Sequence, residues 1–522
     1  MPVRVSSQLA LQSDLSGEGS IATLPRLDWD SRTRRGPLDF VRGLGNWAAG
    51  DGPAYQRLAA ALRAAVRRGD AGPGERLPAE RVLARLLAVS RTTVVAAYEI
   101  LRQEQWLESR QGSGTRVSSG SGGAARLPAD DGGGSFRGHP VYRGLVEGSG
   151  GTIEFLGAHL PGGDLLVKDL ATPDRRALAA LVRTPGYLPM GLPALRQAIA
   201  VYLSGRGLPT TDEQVLVTCG AQQAIAIAGA AFLRRGDAVV LENPTYLGAI
   251  DIFTSLGARL TPVPVGREGV QAEVLREIAA RTGPRLLYLM PTFQNPTGAL
   301  MPERQRRAVA RLARELSVPI VEDNTLADLS LTGSPPPPLA SFEPEAPILT
   351  VGSLSKLFWG GLRVGWIRAS EGLLARIAKR KIMADLGGSL LSQLAAVRLL
   401  AKADRVREMR RREMRERFDW LTKLLARHLP DWSWAPPAGG LSLWVRLPRG
   451  SANEFAQVAL RHGVSVVPGS LASPDGGFSD HLRLPFVLER APMEEGIARL
   501  SRAWAAYAAT ARRERASLDV LV

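Results

Sequence analysis

Between residues 53 and 68 apolar side chains recur every four positions, at Leu58, Leu62 and Val66. That spacing lays them along one face of a helix. Pro53 suits its first turn and Gly69 the residue after its end. A turn at Pro73-Gly74 leads to a second helix over 79–88, with Val82, Leu83, Leu86 and Leu87 facing inward. Ser90 then offers an N-cap for a third helix, 91–103, whose inner stripe is Val94, Tyr98 and Leu101. Residues 106–117 read as strand, Gly-Ser-Gly turn, strand. From residue 151 the pattern changes. Short apolar runs at 214–218, 238–242, 285–290, 319–323 and 348–352 are separated by helical stretches. This predicts a parallel sheet covered on both faces. Beyond about residue 370 a long helical stretch leads into a smaller α+β part.

The expected organisation is a flexible extension over 1–52, within which 24–29 and 38–41 could pack, a compact block over 53–118, a linker over 119–150, a large domain over 151–512 and a tail over 513–522. The linker reading rests on Gly and Ser clusters such as Ser118-Ser-Gly-Ser-Gly-Gly. The 522 residues are enough for several domains with cores of their own. No stretch is apolar and long enough to span a bilayer, and residues 1–14 lack a signal-peptide pattern. One cysteine, Cys219, excludes a disulfide framework within the chain and makes a cytoplasmic location the simple expectation. Five histidines and one cysteine, none at ligand spacing, predict no metal site.

The net charge of +16 suggests a polyanionic partner. Lysine is scarce: Lys168, Lys356, Lys379, Lys381, Lys402 and Lys423 stand among 66 basic residues. Where arginine is the default cation, a lysine inside a motif points to amine chemistry that arginine cannot supply.

Helix, helix, tight turn, helix and hairpin is the order of a winged helix-turn-helix, mainly α with a β wing. Its third helix would present Arg91, Thr92 and Thr93 to the major groove of double-stranded DNA. Arg91 is the candidate for a bidentate contact to guanine. Ser90 and Arg81 would hold phosphates, and the wing tip around Gly112 would lie against the backbone. The block carries eleven arginines and six acidic residues, which favours phosphate. A three-helix packing module without nucleic acid is the competing reading. The segments Pro73-Gly-Glu-Arg-Leu-Pro78, Glu80-Arg-Val-Leu-Ala84, Val89-Ser-Arg-Thr-Thr-Val94 and Gly112-Ser-Gly-Thr115 closely resemble the GntR family of bacterial regulators. The resemblance implies that Arg81, Arg91, Thr92, Thr93 and Gly112 lie at the DNA.

The segment Gly352-Ser-Leu-Ser-Lys-Leu-Phe-Trp-Gly-Gly-Leu-Arg-Val-Gly365 follows a predicted strand. A partly desolvated Lys356 amine can condense with an aldehyde. Ser353, Ser355 and Arg363 can clamp a phosphate beside it. Aldehyde capture next to a phosphate clamp is what pyridoxal 5'-phosphate (PLP) requires. Asp323 could pair with a pyridinium nitrogen, Asn295 could donate to the ring's phenolate oxygen, and Tyr246 could stack on the ring. Gly220-Ala221-Gln222 opens a helix after a strand, where backbone N–H groups suit phosphate. Singly, each reads as structural: Asp323 a cap, Tyr246 core, Asn295 a turn. Jointly they make a cofactor site.

These segments closely resemble fold-type I PLP-dependent aminotransferases over nearly all of residues 151–510. The resemblance implies that Lys356 forms the Schiff base and that Asp323 partners the pyridine nitrogen. It assigns phosphate to Ala221, Gln222, Ser353, Ser355 and Arg363. It also implies that Arg483 holds a substrate α-carboxylate, that Tyr187 reaches a neighbouring subunit's cofactor, and that the protein is a homodimer. One departure is Thr325, where that family commonly has a tyrosine aimed at the phenolate oxygen; turnover is expected to suffer more than binding. The two halves in one chain resemble the MocR-type subgroup of GntR regulators. That implies a transcription regulator that responds to PLP, or to PLP plus an amino acid or amine, with residual aminotransferase activity left open. The alternatives are an active aminotransferase carrying a DNA-binding domain, and a regulator whose large domain only dimerises. The arginine-rich run 405–417 is expected to be a solvated helical face.

Overall fold

The computed structural model describes residues 36–48, 52–110, 114–118, 141, 151–171 and 174–519. The N-terminal head contains α1 (Pro37–Gly43), α2 (Ala54–Arg67), α3 (Glu80–Leu87), α4 (Arg91–Gln103) and the strands β1 (Leu107–Arg110) and β2 (Gly114–Val117). β1 and β2 form an antiparallel hairpin with Leu107 opposite Val117. Leu58, Leu62, Leu83, Leu87, Val94, Tyr98 and Leu101 meet in one core. The Tyr98 hydroxyl satisfies itself there by donating to the Pro78 carbonyl at 2.8 Å. The chain leaves α3 through Ala88, in the left-handed region at φ 50°. Ser90 then caps α4, its hydroxyl accepting from the Thr93 N–H at 3.2 Å.

The expectation of a flexible extension over 1–52 needs correcting for its last part. Phe40, Val41, Leu44 and Trp47 are buried and belong to the head's core. Burial of these side chains orders a segment whose composition reads as irregular. The expected linker lies almost wholly outside the described residues.

The rest of the chain runs β3 (Ile153–Phe155), α5 (Gly163–Ala171), α6 (Arg175–Leu181), α7 (Pro193–Ser204), β4 (Val215–Thr218), α8 (Ala221–Phe232), β5 (Ala238–Asn243), α9 (Leu247–Ser255), β6 (Arg259–Pro264), α10 (Ala272–Thr282), β7 (Leu286–Leu289), α11 (Glu303–Leu316), β8 (Ile320–Asp323), β9 (Ile348–Ser353) and β10 (Gly365–Arg368). Then come α12 (Glu371–Asp385), α13 (Leu390–Leu400), α14 (Ala403–His428), β11 (Ser433–Trp434), β12 (Ser442–Arg446), α15 (Ala452–Arg461), β13 (Val464–Pro468), β14 (His481–Pro485) and α16 (Arg490–Asp519). α16 runs well into the segment 513–522 expected as a tail.

Seven strands form the large sheet in the order β4-β10-β9-β8-β7-β5-β6. The sheet is mixed rather than wholly parallel, because β10 pairs antiparallel with both β4 and β9. The sequence pattern missed β10, since its residues continue the lysine segment without a turn signal of their own. Gly365 on β10 must be glycine: a Cβ there would stand 2.8 Å from the Gly220 backbone. β4, β7, β8 and β9 are buried along their whole length, as strands covered by helices on both faces must be. A second sheet, β11-β12-β14-β13-β3, forms the small domain. Its edge strand β3 comes from before the large domain and pairs parallel with β13.

This topology gathers chemistry on one edge. Chain segments leaving the carboxyl ends of β4, β5, β7, β8 and β9 carry the Gly220, Tyr246, Asn295, Asp323 and Lys356 regions. Ligands of open α/β sheets sit in the crevice outside those strand ends.

Candidate cofactor site and nucleic-acid interface

Lys356 lies just past β9, and its Nζ donates to the Ala158 carbonyl at 2.8 Å. Burial draws its pKa down to about 8, helped by the Arg483 and Arg363 charges and opposed by Asp323. Arg483 reaches in from β14 and is only 5% exposed. Its guanidinium donates to the Leu156 carbonyl, and its buried Nε has no hydrogen-bond partner. Burial also draws Arg483 down to about 10. Both cations are thus parked on backbone carbonyls of one short strap, residues 156–160, that follows β3.

Asp323 ends β8. One carboxylate oxygen accepts from the Tyr288 hydroxyl at 2.7 Å, the other from the Thr325 N–H at 2.9 Å. Tyr246 donates from its hydroxyl to Gln222 Oε1 at 2.7 Å, and burial pushes its pKa up to about 12. Gln294 ties the Asn295 loop to the Tyr246 loop, donating to the Pro244 carbonyl at 2.6 Å and to Glu242 at 3.1 Å. Asn295 follows directly and is half-buried. Ala221 opens α8 behind Gly220, whose φ of +94° leaves the first N–H groups of the helix clear. Arg363 donates to the Cys219 carbonyl at 2.6 Å, beside that same helix start. The Ser353 and Ser355 hydroxyls lie 3.0 Å apart.

Lys356, Asp323, Arg363, Arg483, Tyr246, Gln222, Ser353, Ser355 and Ala221 therefore converge on one crevice. Tyr187 does not: it is 69% exposed on this chain. Sequence reasoning missed Tyr288, Gln294 and the strap carbonyls. A lone hydroxyl in the apolar run 285–290 was the only available sign of Tyr288, and backbone carbonyls leave no sign in sequence. Thr325 keeps a buried hydroxyl with no hydrogen-bond partner, and neither amide atom of Asn324 has one. Such groups cost free energy unless something completes them. An amine free to add to an aldehyde, a carboxylate at strand-end depth, a helix start flanked by Arg363 and serines, and orphaned polar atoms together fit PLP.

In the head, Arg81, Ser90, Arg91 and Thr92 are exposed and Thr93 half-exposed; Gly112 lies outside the described residues. The Ser90 hydroxyl also sits 2.7 Å from Thr92 Oγ1, which stiffens the start of α4. Arg91 is paired with Glu80 at 3.1 Å. A contact to a base edge would require it to leave that carboxylate. We expect Arg91→Ala to weaken specific DNA binding by about 1–3 kcal/mol and to relax preference at one base pair. Competition binding against single-base operator variants checks this, and an unaltered preference would remove α4 as the reading helix.

The arginine-rich run corrects its expected character in part. Arg411 and Arg412 form surface pairs with Glu408. Arg410 instead donates to the carbonyls of Leu357, Phe358 and Pro161, and Arg407 to Asp328. This face of α14 braces the lysine segment and the strap.

Comparison with known proteins agrees with this division. Residues 164–500 match aminotransferases of class I and II, and residues 54–117 match bacterial regulatory proteins of the gntR family. The HTH-type transcriptional regulator YisV of Bacillus subtilis is 31% identical, over 84% of this chain and 92% of its own. The probable rhizopine catabolism regulatory protein MocR of Rhizobium meliloti is also 31% identical, over 80% of this chain and 87% of its own. Among solved structures, LysN, an alpha-aminoadipate aminotransferase of Thermus thermophilus complexed with N-(5'-phosphopyridoxyl)-L-leucine, superposes with a TM-score of 0.64 at 33% identity. It covers 71% of this chain and 95% of its own. A GntR head joined to a class I and II aminotransferase domain, in register with MocR along most of both chains, makes this protein a PLP-binding, DNA-binding transcription regulator of the MocR-type group.

Proposed function

We propose that the large domain acts as a sensor of PLP together with an amino acid or amine, and that its state is read out at DNA by a homodimer. The observation that carries this reading is the parking of Lys356 and Arg483 on one strap. Each cation has a provisional backbone partner that a ligand group can replace: an aldehyde at Lys356, a carboxylate at Arg483. When bound, PLP supplies that aldehyde and an electron-poor ring. The chain's own residues do the rest. Asp323, steadied by Tyr288, would face the ring nitrogen; Tyr246 would cover the ring; Asn295 would donate to its phenolate oxygen. Ala221, Gln222, Ser353, Ser355 and Arg363 would hold the phosphate. A ligand shifts a conformational equilibrium only by binding its two states unequally. Exchange of the strap contacts is where that inequality would arise.

The dimer is supported by exposed apolar side chains on neighbouring elements: Val167, Val182, Tyr187, Met383, Leu386 and Leu391. A single-chain protein rarely leaves such a patch to water, and a twofold dimer buries one patch against its copy. Tyr187 in that patch would reach the partner's cofactor.

The test is operator binding by the full chain with and without PLP, then with a panel of amino acids, with absorbance read on the same samples. A visible band accompanied by a changed footprint supports the sensor. A band with an unchanged footprint under every amino compound overturns it. We further expect Thr325→Tyr to shift the pH titration of the visible band, because a phenol would reach where the threonine hydroxyl has no partner. An identical titration would mean that this position does not face the cofactor.

A further inference from the structure

Lys381 and Asp385 form an ion pair inside the large domain, one turn apart at the end of α12. The Lys381 side chain is wholly buried and that of Asp385 is 21% exposed. A buried pair of this kind gains little stability over apolar side chains of the same size. A carboxylate also sits badly at a helix C-terminus, where the dipole is negative. Its hydrogen bonds give it another task. Oδ1 accepts from the Lys381 ammonium and from the Gly387 N–H, the latter at 2.9 Å. Oδ2 accepts from Gln223 Nε2 at 2.7 Å and faces the Cys219 thiol at 3.5 Å. Burial works against the Asp385 charge, but the hydrogen bonds from Lys381, Gln223 and Gly387 outweigh it and hold the carboxyl below its usual pKa. Asp385 is thus ionised at neutral pH and can only accept. The anchor is stiff on its far side. Gly387 has φ 132°, and a Cβ there would stand 2.8 Å from the Leu188 carbonyl oxygen. Gln393 Nε2 holds the next carbonyl, that of Gly388, at 3.0 Å.

Gln223 carries this polarity onward. With its amide nitrogen turned to Asp385, its Oε1 is left to accept from the Cys219 N–H, at 2.8 Å. That fixes the chain just before Gly220. The Cys219 carbonyl then meets Arg363, and Gly220 turns into α8. The first N–H groups of a helix favour an anion.

We infer that Asp385, anchored by Lys381, is a positioning residue for the phosphate-holding turn, acting through Gln223 on Cys219 and Gly220. Asp385 and Gln223 orient the turn from behind, without touching the phosphate themselves. The phosphate part of this inference rests on the proposed roles of Ala221, Gln222 and Arg363; the relay from Asp385 to Cys219 does not.

Hydrogen-bond polarity supplies the test. Asp385→Asn keeps the shape but accepts on one side only. Lys381 and Gly387 claim the remaining oxygen, so the new amide donates toward Gln223. Gln223 must then offer its oxygen to that amide and its nitrogen to the Cys219 N–H, donor against donor. Adding Gln223→Glu supplies an acceptor for both neighbours and leaves the total charge unchanged. In the full chain without PLP, the amides of Cys219 and of 224–226 should exchange at least about tenfold faster in Asp385→Asn, the worth of about one buried hydrogen bond. They should return most of the way to wild-type rates in Asp385→Asn/Gln223→Glu. Amides of 286–289, in the centre of the large sheet, should keep their rate throughout. With PLP, the apparent Kd read from the visible band should rise at least about tenfold in Asp385→Asn and recover in the double variant. Pyridoxal, which has the aldehyde but no phosphate, should change by no more than about twofold, as for an independent site. Unchanged exchange at Cys219, equal acceleration at 286–289, or no recovery in the double variant overturns the relay. Faster exchange at Cys219 with PLP and pyridoxal affected alike overturns the placement of phosphate at this turn, while the relay stands.

Discussion

A Lys356→Ala variant should add PLP without developing any visible band, and borohydride should fix no cofactor to it, whereas the wild type does both. The expected effect is all or none, because the other buried lysine near the start of α8, Lys381, is held by Asp385. The depressed pKa adds a second, graded signature. With a pKa of about 8, roughly a tenth of Lys356 is uncharged at pH 7, against fewer than about one in a thousand for an ordinary lysine. The rate of band formation in the wild type should therefore rise through about pH 8 and level off above it, since only the neutral amine adds to an aldehyde. A rate still climbing past pH 10 would show that the site does not lower this lysine. A band that persists in Lys356→Ala would move the chemistry to another amine.

Arg483→Ala should leave the PLP band in place and remove the response to amino acids. Arg483 stands on the small domain, away from the phosphate cradle, so cofactor loading should change by only a few-fold. The loss for a carboxylate ligand is large. Truncating one partner of a buried, hydrogen-bonded charge pair costs about 2–5 kcal/mol, or at least about thirtyfold in affinity. Titration of the visible band with the responding amino acid measures it. A variant that responds at wild-type concentrations would place the carboxylate elsewhere, and a variant that no longer takes PLP would show that Arg483 supports the crevice itself.

Much of this is legible in the amino-acid sequence alone. The helix over 91–103 is found at Arg91–Gln103, because a serine cap and a stripe of Val94, Tyr98 and Leu101 agree with one another. The five apolar runs are all strands, since each is buried on both faces. Lysine scarcity singled out Lys356, and burial just past β9 draws its pKa down. What stayed hidden shares a physical cause: it depends on partners distant in sequence. α1 is ordered by a core it joins from outside the predicted block. β10 is a strand only because β4 and β9 flank it. The provisional partners of Lys356 and Arg483 are backbone carbonyls almost 200 and more than 300 residues away in the chain. Arg410 reads as surface charge, yet its fork ends on three carbonyls beside the site.

The parallel pairing of β3 with β13 also sets an order of assembly. Ile153 waits for Val464, about 310 residues later in the chain. At about 5–20 residues per second, a ribosome needs about 15–60 s to supply it. The head, whose contacts are nearly all local, is complete long before then, while β3 presents an unpaired edge to the cell. A nascent chain of this protein thus completes its head before its small domain can close, and the small-domain edge is the part most in need of a chaperone during synthesis.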